Sequence, residues 1–182
     1  KISRKPDCDV KRKLLLPERS ESEMAVIWYL VGRGIDYDII KECIDNGLIF
    51  ESEVYHNCIF LGFDENGKAA YASFRSSSDN SRFKGEAVGS DKRYSFRIEA
   101  KSNTIHVFES AIDLLSYATI MKMKTGNWRA ETMVSLGGVY APSPNKSISK
   151  IPAALDNALQ NHAEVKAIAL HLDNDNAGRS AT

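Results

Sequence analysis

Apolar residues recur at helical spacing twice near the start of the chain and then shift to the two-residue period of strands. Met24, Ile27, Trp28 and Val31 lie three and four apart, which predicts a helix ending at Gly34. Ser20 and Glu23 stand before it in a capping-box pattern. Asp36 is placed to cap a second helix carrying Ile39, Ile40, Cys43 and Ile44, closed by Asn46 and Gly47. Two short helices across a tight turn suggest a helix-turn-helix. The second helix, however, offers only Lys41 to a base or a phosphate, so a packed helical pair is the better reading. Strand-like runs at 57–63 and 68–75 flank a turn at 64–67, and 94–98 reads as a further strand.

From Thr104 the pattern alternates. Residues 104–108, 132–136 and 165–172 are apolar and favour strands, while 112–122 and 151–159 have helical spacing. This βαβαβ order predicts a parallel sheet covered by helices. The expected organisation is a basic linker or arm over 1–19, a small α+β domain over 20–103 and an α/β domain over 104–182.

Charge narrows the picture. The 24 basic and 24 acidic side chains balance, so any contact with nucleic acid would need a local basic surface and not bulk charge. The best candidate for that surface is 75–97, with Arg75, Arg82, Lys84, Lys92, Arg93 and Arg97 against Asp79, Glu86 and Asp91. A solvated loop reads equally well from charge alone. Cys8, Cys43 and Cys58 are odd in number and widely spaced, which argues against a disulfide framework and for a reducing cytoplasm. No apolar run approaches a membrane span or a signal peptide. Lys1 at the start and Arg179–Thr182 at the end lead to the expectation of a piece cut from a longer protein.

In open parallel sheets the ligand site lies beyond the carboxyl ends of the strands, and two strands here end in acids. The first runs into Glu109, with Asp113 four residues on; the last runs into Asp173 and Asp175, followed by Gly178. Four carboxylates on one rim repel one another unless a cation lies between them, and hard oxygen donors suit Mg²⁺ or Mn²⁺. Each acid also has a plainer reading. Ser110 and Asp113 form a capping-box pattern, and 173–178 resembles a strand-ending turn. A calcium loop or a phosphatase-like DxD fits less well, because Ala177 occupies a position where either would want another residue. His106 and His171 alternate with apolar neighbours and read as sheet-face residues, and Trp28 and Trp128 as packing aromatics.

Together these motifs resemble the Toprim pattern. Residues 108–113 are similar to its strand, Glu and following Asp; 134–138, ending in Gly137 and Gly138, to its middle glycine-bearing strand end; and 172–178 to its DxDxxG signature. The resemblance covers about 104–182. Residues 16–99, through 33–36, Phe74 with Arg75, and 89–96, resemble the domain of unknown function that precedes Toprim in proteins of plasmids and conjugative elements. A Toprim sheet continues with another helix and strand beyond the DxD motif, so an incomplete C-terminal end is expected here.

What the resemblance implies is Mg²⁺-dependent phosphoryl transfer on nucleic acid. Asp173, Asp175 and Asp113 would hold metal, and Glu109 would be the general acid/base or a further ligand. Gly137, Gly138 and Gly178 would let the backbone approach phosphate, and Arg179 would contact it. DNA, single-stranded or duplex, and nucleotides are the implied partners, with plasmid replication or transfer proteins. Nothing marks any tyrosine as a topoisomerase nucleophile. Primase-like nucleotidyl transfer, a nuclease and a non-catalytic DNA- or protein-binding module remain open at this point.

Overall fold

The computed structural model describes residues 13–78, 80–138, 151–174 and 179. Helices α1 (Met24–Gly32) and α2 (Tyr37–Asp45) precede an antiparallel sheet of β1 (Ile49–Glu51), β2 (Cys58–Phe63), β3 (Ala69–Arg75) and β4 (Lys84–Glu86), in that spatial order. The β2–β3 turn forms where expected: Asp64 accepts hydrogen bonds from the Asn66 and Lys68 amides, and Gly67 takes a left-handed φ of 72°. Strands β1 and β4 have no counterpart in the hydrophobic pattern. Each has three residues, too few to show a period, and β4 is a polar edge strand defined only by its pairing with β3.

The capping box expected at Ser20 and Glu23 does not form; α1 is capped from the sheet instead. Glu51, at the end of β1, is 2 % exposed, and its Oε2 accepts from the Ala25 and Val26 amides at 2.9 and 3.3 Å. Its Oε1 lies 2.6 Å from His56 Nδ1. A buried carboxylate needs donors, and the amides and dipole of a helix N-terminus supply them. Glu23 turns away to accept from the Glu51 amide and to pair with Arg19. Helix α2 keeps its predicted cap: Asp36 accepts from the Asp38 and Ile39 amides, and Lys122 from a later helix holds its carboxyl below the usual range.

The second sheet has the order β5 (Arg97–Ile98), β7 (Thr132–Ser135), β6 (Thr104–Phe108), β8 (Ala167–His171). β6 pairs in parallel with both β7 and β8, as the alternating pattern predicts. The expected strand over 94–98 shrinks to β5 because Asp91 starts a 3₁₀ turn at Lys92–Tyr94 by accepting from the Arg93 amide. Helices α3 (Ala111–Thr125) and α4 (Ala153–Asn161) take opposite faces of this sheet. Ile105, Val107, Val134 and Leu136 pack on α4, whereas Phe108 and Met133 belong to a core that includes α3, α1, α2 and β2. Both faces are thus buried, which is what a parallel sheet requires. That shared core, with β5 joined to β7, ties the two segments together. Gly62 completes the fit: a Cβ there would run into the Tyr94 carbonyl. No helix among the described residues is long and apolar enough to cross a membrane.

Two stability predictions follow from these contacts. Replacing Glu51 by Ala strands two helix-end amides and His56, and should lower the unfolding free energy by about 1–3 kcal/mol in urea titration. His162 bridges Glu99 at 2.6 Å and Glu164 at 3.1 Å. Burial alone would lower its pKa, but the hydrogen bonds to Glu164 and Glu99 outweigh it and raise the pKa above 6.5. Its contribution is therefore full below about pH 6.5 and is lost as pH rises through the raised value. His162→Gln should flatten that part of the stability–pH curve; an unchanged curve would refute the assignment.

Candidate active site

Three acids from the tips of the parallel strands reach one cleft. Glu109 follows the last residue of β6, and the Gly138 amide donates to its carbonyl at 2.9 Å, prolonging the β6–β7 ladder by one step. Ser110 then caps α3. Its hydroxyl accepts from the Asp113 amide, while Asp113 Oδ2 accepts from the Ser110 amide at 3.1 Å and from its hydroxyl at 2.6 Å. The capping box legible in the sequence therefore forms, and Asp113 lines the cleft as well. Asp173 leaves the end of β8 and is exposed on the same rim. Asp175 and Gly178 lie outside the described residues.

The cleft has a volume of about 550 Å³, and its other wall comes from the N-terminal segment. Arg75 of β3 faces Lys84 of β4 directly across the ladder, and Arg33 beyond α1 joins them. Among the described residues none of these three has an ion-pair partner. Two like charges opposed on one sheet face are unfavourable unless an anion lies between them. Tyr71, Ser73 and Glu86 complete this wall. Arg33, Tyr71, Ser73 and Glu86 were not singled out as site residues from the sequence: Ser73 and Glu86 are opposed only by the β3–β4 register, and Arg33 and Tyr71 reach the cleft only through the packing of α1 and β3.

The remaining basic residues divide. Lys92 Nζ is 3.0 Å from Glu86 Oε1 and donates to the Gly137 carbonyl at 3.1 Å, so it clasps the glycine turn to the N-terminal segment. Arg93 pairs with Asp91 and lies over the Tyr94 ring, and neither it nor Arg82 lines the cleft. Arg179 donates to Asn174 Oδ1 at 3.3 Å. Gly137 and Gly138 line the cleft with φ of 66° and 95°, a region that favours glycine.

Beneath Asp173, β8 is pinned to β6 by its histidines. His106 Nδ1 lies 2.8 Å from His171 Nε2, and His106 Nε2 lies 2.5 Å from Glu131. Burial, aided by His106, lowers the His171 pKa, and its ring stacks on Phe108. Both histidines are sheet-face residues, as their alternation suggested.

The oxygen donors of Glu109, Asp113 and Asp173 have the chemistry Mg²⁺ takes. Among the described residues, however, no three His, Cys, Asp or Glu groups stand close enough to form a closed metal cluster. Mg²⁺ commonly uses one or two carboxylates, several waters and substrate phosphates, so an open rim facing cationic side chains fits such an ion.

Comparison with known families agrees with this layout. Residues 28–103 match a family described as "Protein of unknown function (DUF3991)", and residues 106–182 match the family described as "Toprim-like". The chain carries a Toprim domain preceded by that domain of unknown function. No curated protein matches it. Its fold is similar to the primase fragment of the bacteriophage T7 primase-helicase (TM-score 0.53, 19 % identity, 83 % of this chain and 55 % of that one). It is also similar to a chain in a structure of T7 lagging-strand DNA polymerase with primase domains, an RNA/DNA hybrid and dTTP (TM-score 0.54, 19 % identity, 83 % and 68 %). A third likeness is the Aquifex aeolicus primase with its zinc-binding and RNA polymerase domains (TM-score 0.52, 17 % identity, 88 % and 45 %). The chain spans about half the length of the T7 primase fragment.

The glycine turn offers a direct test of this geometry. A Cβ on Gly137 would collide with the Tyr71 hydroxyl and stand 3.3 Å from Glu86 Oε1, at a φ that L-residues rarely adopt. Gly137→Ala should destabilise the protein by about 1–3 kcal/mol, read by thermal or urea unfolding. Gly126→Ala, also at positive φ but with open space around it, should cost less.

Proposed function

We propose that this protein is a Mg²⁺-dependent nucleic-acid enzyme of the Toprim class that performs primase-like nucleotidyl transfer, within a DNA-processing protein of a plasmid or other mobile element. The observation that carries the reading is the single cleft in which Glu109, Asp113 and Asp173 face Arg33, Arg75 and Lys84. An acidic rim alone would repel a polyanion. Opposed by unpaired cations, it suits a phosphate chain that meets metal on one side and guanidinium or ammonium groups on the other.

In this reading Asp173, Asp175 and Asp113 hold the ion. When bound, it neutralises phosphate charge and stabilises the oxygen that attacks or leaves. Glu109, fixed by the β6–β7 ladder, accepts the proton of the attacking hydroxyl or joins the ligands; proton transfer of this kind typically contributes about 10²–10⁴-fold. Asp113 Oδ2 is committed to the helix cap, so Oδ1 is the oxygen that would be left for the ion. Arg75 and Lys84 orient phosphates, Arg33 extends that path, and Gly138, with open space where a side chain would stand, leaves room for substrate. Lys92 acts through its hold on the turn. DNA serves as template and nucleotides as substrates.

Glu109→Gln and Asp173→Asn, made in the full-length protein, should each abolish Mg²⁺-dependent primer synthesis with little change in thermal stability. Assays of synthesis and of strand cleavage, with and without Mg²⁺, decide the matter. Cleavage without synthesis would convert the assignment to a nuclease, and DNA binding with neither activity would overturn catalysis.

A further inference from the structure

The cleft-facing side of the β3–β4 hairpin carries two rungs of different chemistry. One is Arg75 opposite Lys84; the next is Ser73 opposite Glu86, and all four residues line the cleft. Rungs on one face are two residues apart, about 6.6 Å along the strand. That is comparable to the reach from a phosphate to the hydroxyls of its own sugar. The first rung suits phosphate. The second does not, because the Glu86 carboxylate repels phosphate and accepts only from donors.

Glu86 is held in a fixed orientation for such a contact. Its Oε1 accepts from the Tyr71 hydroxyl at 3.0 Å and pairs with Lys92 at 3.0 Å, while Lys92 is anchored on the Gly137 carbonyl. Its Oε2 has no protein partner among the described residues, and the side chain is 30 % exposed. The opposing Ser73 hydroxyl can donate or accept. A donor one rung away from phosphate is a sugar hydroxyl; the amino group of a base lies farther along the nucleotide.

We propose that Glu86, aided by Ser73, is the specificity determinant that reads the 2′-hydroxyl of a nucleotide whose phosphates lie on Arg75 and Lys84. The cleft thereby selects ribonucleotides over deoxyribonucleotides. This inference rests on the nucleotidyl-transfer reading and deepens it, because a metal site by itself is indifferent to the sugar.

The test titrates the full chain, in Mg²⁺, with ATP, 2′-deoxyATP and inorganic tripolyphosphate. The unaltered protein should bind ATP about ten-fold or more tightly than 2′-deoxyATP, the worth of one hydrogen bond to a charged group. Glu86→Gln should bring the two within about two-fold without weakening tripolyphosphate, which meets only the cationic rung. Ser73→Ala touches neither Tyr71 nor Lys92 and should lower the preference several-fold, so it carries the test if Glu86→Gln disturbs the clasp. Equal affinity for ATP and 2′-deoxyATP in the unaltered protein, or a preference that survives both substitutions, would overturn the inference and leave nucleotide binding standing. Failure to bind all three probes would overturn the functional reading itself.

Discussion

The site depends on one apolar core shared by the two segments of the chain. Phe108 and Met133, from the inner face of the parallel sheet, pack with residues of α1, α2 and β2 as well as with α3. Burying a side chain of that size contributes about 1.5–3 kcal/mol, so a shared core resists any parting of the segments. The consequence is electrostatic. The acids at the strand tips and the cations of the β3–β4 hairpin are held on opposite walls of one cleft. Charged groups on mobile domains would collapse together; on walls welded from behind they keep a cleft of about 550 Å³ between them.

Backbone contacts carry this constraint to the reacting groups. The Gly138 amide holds the Glu109 carbonyl, Lys92 holds the Gly137 carbonyl, and Glu86 holds Lys92. Together these links join the N-terminal wall to the strand tip through the Gly137–Gly138 turn, whose positive φ angles favour glycine. The arrangement commits Lys92 to Glu86 and the glycine turn, and it does not line the cleft with the acids. It also explains why a basic segment can border an acidic site with net charge near zero: the charges are sorted by wall.

Much of this was legible in the sequence, and what was not shares one cause. The alternating strands and helices after Thr104, the Asp36 cap, the turn at Asp64 and the Ser110–Asp113 capping box depend on residues close in sequence, and local pattern captures them. The cap of α1 comes from Glu51, 26 residues beyond Ala25, and no local motif announces it. Strand β4 is three polar residues whose strand character exists only in register with β3. Arg33, Ser73 and Glu86 reach the cleft through tertiary packing for the same reason. Arg82 and Arg93 looked equivalent to Arg75 and Lys84 by charge, yet lie off the cleft because register, and not composition, decides which side chains face the acids.

Asp113 shows how a helix cap and a place in the cleft can share one side chain. A capping box uses the carboxylate oxygen nearest the backbone, and here Oδ2 receives both the amide and the hydroxyl of Ser110. That fixes the plane of the group without using Oδ1. A carboxylate pinned by one oxygen loses little further entropy when the other meets a cation, so under the proposed function the cap would lower the cost of metal binding instead of competing with it. The same logic applies to Glu86, pinned through Oε1 with Oε2 open to the cleft. On both walls an acid that lines the cleft is made rigid by the fold through one of its two oxygens. Reading either residue as merely structural, or as merely functional, misses how the first role makes the second possible.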